Sequence, residues 1–216
     1  SEIRTIRFSR EKGFIIQQLK DYLRDMEVSP AMERSILHWV EFQVDAEQHV
    51  GWEDRCKRHL GSTMAAALNT HCAKPNLDNL EVMEAMMLDS DKARIYAMLW
   101  GAADTVTFQA GQVLASAEVS PDGILIVEEG NVSVLDDEGQ VVQMMRRGQV
   151  VNEWQLLGTG AVTSAWGLPV EYMAHSHVRC RCIAFPAVEG VLDQFPSARD
   201  AILERAEALW PAGGDG

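Results

Sequence analysis

No run of this chain approaches the 18 or so uncharged apolar residues that a membrane-spanning helix requires, so the sequence predicts no bilayer span. The opening Ser1-Glu2-Ile3-Arg4 lacks the apolar core of a signal peptide, which predicts that the chain is not exported. A start on Ser rather than Met is expected of a fragment taken from a longer protein. Basic residues are scarce where they would matter for nucleic acid. The net charge is −13, and residues 101–216 hold 6 Lys and Arg against 16 Asp and Glu. Nucleic-acid binding draws on Lys and Arg to neutralise phosphates, and no basic stripe exists to supply it. Residues 1–100 are nearer balance, with 13 against 16. Cysteine is also sparse. Cys56, Cys72, Cys180 and Cys182 are scattered without a signal peptide, the pattern of reduced thiols rather than of a disulfide framework. No internal repeat is present.

What the chain does have is 47% apolar residues in 216, enough for an ordinary core. The first hundred residues read as helical. From a start near Ser9, Ile15, Leu19, Tyr22 and Met26 recur at helical spacing. Ser29-Pro30 then predicts a restart, because Ser caps a helix and Pro suits its first position. Ile36, Leu37, Val40 and Val44 line the second helix. A short helix is expected between Gly51 and Gly61, another over Thr63 to Cys72, with Pro75 either ending it or beginning a Leu77/Leu80/Met83 turn, and a last one over Ser90 to Trp100.

From Thr105 the period changes. Val106 to Phe108, Val113-Leu114, Ile124 to Val127, Val132 to Leu135 and Val141 to Met144 are short β-type runs, broken by Gly111, Gly123, Gly130, Gly139 and Gly148. Asp136 to Gly139 is expected to be a hairpin tip with glycine at positive φ. Glu171 to Phe185 reads as one strand, and Ala187 to Phe195 and Ser197 to Leu209 as helices. The expected fold is therefore α+β: an N-terminal helical region over 1–88, then an antiparallel β-roll or jelly-roll barrel with flanking C-terminal helices over 89–216.

Several residue constellations bear on chemistry. His175-x-His177 beside Cys180-x-Cys182 has the composition of a metal site. In one continuous strand, however, the odd-numbered pair faces one side and the even-numbered pair the other, so no metal site is expected. A metal-dependent cupin would want Glu four or five places after the second His, where Arg181 and Cys182 stand. Ser164 and Ser176 lie in no Gly-x-Ser-x-Gly elbow, and Gly158-Thr159-Gly160 lacks the Lys of a phosphate loop. Glu128-Glu129 and Asp136 to Glu138 read as solvated turns without calcium-ligand spacing. Met83, Met86 and Met87 read as core filler. Trp39 and Trp52 read equally as buried residues or as interface anchors. No catalytic residue is assigned, and the chain is not expected to be an enzyme.

Order and landmarks together carry a resemblance. Arg10-Glu11-Lys12 with Leu19-Lys20-Asp21-Tyr22-Leu23, then Ser29-Pro30 to Phe42, then His59-Leu60 to Leu68-Asn69, are similar to successive linker helices. Phe108 to Leu114, Ile124 to Val134, Arg147-Gly148-Gln149-Val150 and Val191 to Pro196 are similar to the turns, central hairpin and lid of a β-roll. Over nearly its whole length the chain resembles the C-linker plus cyclic-nucleotide-binding domain of the hyperpolarisation-activated, cyclic-nucleotide-gated and ether-à-go-go channels. The resemblance implies a regulatory module on the cytoplasmic side of a membrane, within a larger membrane protein. Its implied partners are neighbouring channel subunits, met through the helical linker, and other cytoplasmic channel domains. A homo-oligomer is implied for the full protein.

It also implies a pocket at Val151, Asn152, Glu153, Trp154 and Leu168. Binding members keep a Gly-Glu pair and, after a short helix, an arginine on the cyclic phosphate. Here the pair reads Asn152-Glu153, the arginine's place falls near Leu168-Pro169, and no basic residue occurs between Glu153 and Arg179. Asn152 in place of glycine is expected to obstruct close backbone approach to a phosphate. The implied pocket is therefore nucleotide-insensitive and needs no cofactor. Leu209-Trp210-Pro211 stands about where insensitive relatives fill the cavity with their own chain. The alternative is a true sensor of cyclic AMP or cyclic GMP, using Arg146, Arg147 or Arg179 on the phosphate.

Overall fold

The computed structural model describes residues 2–80, 83, 89–153 and 170–209. Two compact units divide the chain, Ser1–Cys56 and Lys57–Gly216. The expected boundary at 88/89 thus lies inside the second unit, where the helices of 57–101 belong with the strands.

The first unit consists of α1 (Glu2–Asp25) and most of α2 (Pro30–Arg58). The turn between them holds Glu27 at φ 52. Ser29 opens α2 as expected: its Oγ accepts from the Met32 N–H at 3.3 Å, and its carbonyl accepts from Glu33 at 2.9 Å. Lys12 Nζ meets Asp45 at 2.7 Å, tying α1 to α2. The buried row of α1 is Ile16 and Leu23, whereas Ile15, Tyr22 and Met26 are exposed. The helical spacing holds but the buried face lies one position on, because spacing alone does not say which side of a helix has a neighbour. α2 also runs unbroken through Gly51. A single helical glycine costs only ~1 kcal/mol, less than is needed to stop a long helix.

The second unit begins with α3 (Ser62–Leu77) and α4 (Asp89–Gly101). α3 continues past Pro75 instead of ending there. Asn76 Nδ2 donates to the Cys72 carbonyl at 2.9 Å, and the last residue, Leu77, is fully buried. Burial of that final turn outweighs one missing N–H. Between the two helices, Tyr96 Oη donates to Asp78 at 2.9 Å and Lys92 Nζ lies 3.0 Å from the same carboxylate.

Among the described residues eight strands follow: β1 (Asp104–Phe108), β2 (Val113–Ala115), β3 (Gly123–Glu129), β4 (Val132–Leu135), β5 (Val141–Met145), β6 (Val150–Val151), β7 (Glu171–Ala174) and β8 (Val178–Ala184). They make two antiparallel four-stranded sheets, in the orders β1-β8-β3-β6 and β2-β7-β4-β5. Two helices close the described chain, α5 (Phe185–Leu192) and α6 (Pro196–Leu209). The fold is α+β, with helices before and after the sheets. The expected single strand over 171–185 is two strands, because residues 175–177 form a turn.

Alternation along β3 explains the layering. Ile124 and Ile126 face a helical core of Leu77, Leu80, Met83, Tyr96, Leu99, Val188, Leu192 and Ile202. Leu125 and Val127 face the second sheet, in a core with Leu114, Val132, Val134, Tyr172, Ala174 and Cys180. A period of two lets one strand serve both layers. Cys56, Cys72, Cys180 and Cys182 are all free thiols, and burial pushes the titration of Cys180 and Cys182 upward. Among the described residues no helix is long and apolar enough to cross a membrane.

Candidate functional site

The residues expected to form a pocket are reached through the turn between β5 and β6. Gly148 sits at φ 85, its N–H donates to Val127 at 2.8 Å, and the Val127 N–H donates to Gln149 at 3.0 Å. Asn79 Nδ2, just past α3, donates to the Gly148 carbonyl at 2.7 Å. β6 is then held on β3 through Val150 opposite Ile126 and Val151 opposite Leu125.

Directly after β6 the backbone turns left-handed at Asn152, φ 72, and Asn152 is fully buried. Asparagine is among the few non-glycine residues that tolerate this region. Its Nδ2 donates to the carbonyls of Pro121 at 3.3 Å and Gly123 at 3.2 Å, fastening the β6 exit to the start of β3. The Asn152 side chain is thus a brace for the left-handed turn, engaged with residues 121–123. Glu153 follows and is 7% exposed. Val151, Asn152 and Glu153 are thus adjacent and buried at one strand exit. Trp154, Leu168, Trp210 and Pro211 lie outside the described residues. Leu209 ends α6.

This brace has a measurable consequence. Asn152→Ala should lose about 1–3 kcal/mol, since it takes the donor from one buried and one part-buried carbonyl and puts alanine at positive φ. Asn152→Gly should lose less, because glycine meets no penalty at that φ. Urea denaturation of the three chains tests the order, which an Asn152→Ala chain as stable as the parent would contradict.

The cations proposed for a phosphate are differently placed. Arg146 and Arg147 are exposed on the turn that enters β6. Arg179 Nη2 lies 3.2 Å from Glu129 and its Nε 3.4 Å from Glu128. Beside it, Arg181 Nε donates to Glu128 Oε1 at 3.2 Å, and its guanidinium stacks 5.1 Å from the Trp100 ring of α4. Glu128 is therefore not the solvated turn residue the sequence suggested, whereas Glu129 remains half exposed. This cluster is not among the sites expected from the sequence. Its available signal was Arg179-x-Arg181 inside an otherwise apolar strand, opposite the acidic end of β3.

His175 and His177 are turn residues rather than strand residues. His175 Nδ1 lies 3.2 Å from Ser133 Oγ, and His177 Nδ1 accepts from the Ala110 N–H at 3.1 Å. Cys180 belongs to the core between the sheets, with Cys182 packed against it. Among the described residues no group of three or more His, Cys, Asp or Glu side chains is placed to hold a metal ion. No protein-family model matches the chain, and no curated protein matches it in sequence.

Proposed function

We propose that this chain is a non-enzymatic regulatory module of the cyclic-nucleotide-binding type whose pocket does not respond to nucleotide. In the same reading it is the cytoplasmic gating module of a voltage-gated cation channel, a potassium channel of the ether-à-go-go kind by resemblance. The strand order 1-8-3-6 over 2-7-4-5 supports a β-roll, because it is the interleaving a double-sheet jelly roll needs, with flanking helices where that family has them. The left-handed turn and buried carboxylate at Asn152-Glu153 stand at the β6 exit, where such a roll keeps its ligand-contacting acid.

One observation carries the insensitive reading. No Lys or Arg stands between Glu153 and Arg179, and Arg179 is already held by two carboxylates. A phosphate placed beside Glu153 then lacks its countercharge. Losing one partner of a buried charge pair costs ~2–5 kcal/mol, or roughly 30- to 3,000-fold in affinity. A site of ~3 µM becomes one of roughly 100 µM to 10 mM. In the first unit, Phe14 at 63% exposure, Tyr22 and Met26 at 59% and Met32 at 55% give the helical pair apolar surface for a neighbouring subunit. The roll and its helices would move as one body that biases a gate, driven by a partner domain or voltage-linked motion that distinguishes two states.

Calorimetric titration with cyclic AMP and cyclic GMP tests this reading. The expected result is no saturable heat below about 100 µM nucleotide. A dissociation constant below about 100 µM overturns it. The sensor reading draws on two observations, the glycine-like turn kept by Asn152 and the exposure of Arg146 and Arg147. It would be adopted if such binding also weakened in the Arg146→Ala/Arg147→Ala chain.

A further inference from the structure

We propose that β5 is a self-association edge, along which two copies of this chain pair antiparallel about a two-fold axis and join their β2-β7-β4-β5 sheets. This inference is independent of the proposed function.

β5 ends its sheet, and its described ladder runs to β4 on one side. Val141 is 55% exposed and Val142 44%, and Gln143 is exposed with them. The five residues Val141-Val142-Gln143-Met144-Met145 carry no charge and no proline. Sheet edges are ordinarily guarded by such residues, by bulges or by extreme shortness, because unpaired N–H and C=O groups template another strand. The other edges are guarded in these ways: β6 has two residues, β2 has three and an irregular register, and β1 begins on Asp104. β5 carries one bulge, at Val142, since Leu135 pairs with Val141 and Val134 with Gln143; its unguarded stretch is Gln143 to Met145, in register with Val134, Ser133 and Val132.

Charge selects both the occupant and the direction. Immediately before β5 lies the tip Asp136-Asp137-Glu138, and immediately after it lie Arg146-Arg147. Asp137, Glu138, Arg146 and Arg147 are all exposed. Laid antiparallel, the acidic tip of one copy meets the arginines of the other, and symmetry makes the match twice. Laid parallel, acid would face acid and arginine would face arginine. Opposite charges across strands are favourable and like charges are not. An isologous two-fold contact needs a patch complementary to itself, and this one is. Main-chain pairing supplies the affinity, as in other strand-addition complexes. The overall charge of −13 opposes approach, and the contact is small, so the dimer should be weak, with a dissociation constant of about 10–1,000 µM.

The test uses the whole chain and two charge reversals at exposed positions, Asp137→Lys/Glu138→Lys and Arg146→Glu/Arg147→Glu. Sedimentation equilibrium should show the parent associating. Each reversal alone should weaken association about tenfold or more, and an equimolar mixture of the two variants should restore it, since unlike ends again face each other. Hydrogen exchange at Val141 to Met145 should slow as the parent is concentrated. Association untouched by either reversal, or concentrated protein without added protection in β5, places the contact elsewhere and overturns the proposal. A parent that stays monomeric at ~1 mM overturns it too, leaving this edge to a foreign strand or to solvent.

Discussion

Gly130→Ala should destabilise the second unit by about 2–5 kcal/mol. Gly130 joins β3 to β4 at φ 87, and a Cβ there would lie 2.2 Å from the His177 carbonyl oxygen, with the Val178 Cα at 3.0 Å. Two penalties coincide: a left-handed backbone that alanine resists and a collision with main chain. Main chain cannot rotate aside as a side-chain tip can. Relief would mean moving the start of β8 away from β3, against the pairs Glu129–Arg179 and Val127–Cys180. Gly139 is the matched control. It also has positive φ, 76, but a Cβ there meets nothing within 4 Å, so Gly139→Ala should show the backbone strain alone. Urea midpoints of the two variants separate the terms. Equal losses at both positions would show that the close approach to His177 contributes nothing.

Arg181→Ala should cost about 2–4 kcal/mol, at the lower end of what breaking a buried ion pair entails, because Glu128 would keep Arg179. Arg181 is only 6% exposed, on the helix-facing side of β8 between Glu128 and the Trp100 ring. Its removal takes away a charge-assisted hydrogen bond, a cation–π contact and the packing of a long stem. Arg181→Met restores the stem and should recover part of the loss. Arg199→Ala is the comparison: it too sits 2.9 Å from a carboxylate, Asp193, but both groups are more than half exposed. An exposed pair of this kind should be worth well under about 1 kcal/mol. If thermal denaturation finds the Arg181 and Arg199 variants alike, the buried cluster does not hold α4 to the sheet.

Much of the fold was readable along the chain. The cap at Ser29, the tip at Asp136 to Gly139 and five of the strands follow from local chemistry: a hydroxyl that accepts a backbone N–H, a glycine that reaches positive φ, and alternating apolar side chains. The misreadings were also local. Gly51 and Pro75 look like helix stops, yet α2 and α3 run through them. Histidines in a β-type run looked like strand residues, although 175–177 turn. β6, with two residues, is too short to leave a pattern.

For the candidate site, the sequence supplied an inventory: a carboxylate at Glu153, an asparagine before it, and no Lys or Arg before Arg179. It could not supply allegiance. That Asn152 braces residues 121–123, that Arg179 is already committed to Glu128 and Glu129, and that Trp100 covers Arg181 are facts about partners 29 to 81 positions away along the chain.

Residue types, periodicity and turn chemistry are properties of neighbours in the chain, so composition, element order and the missing countercharge could be read without coordinates. Which face of α1 is buried, which strand is left as an edge, and which arginine is already paired depend on contacts between distant segments. Loop closure can bring those segments together in many ways that local preference does not rank, and burial and charge pairing in the assembled structure choose among them.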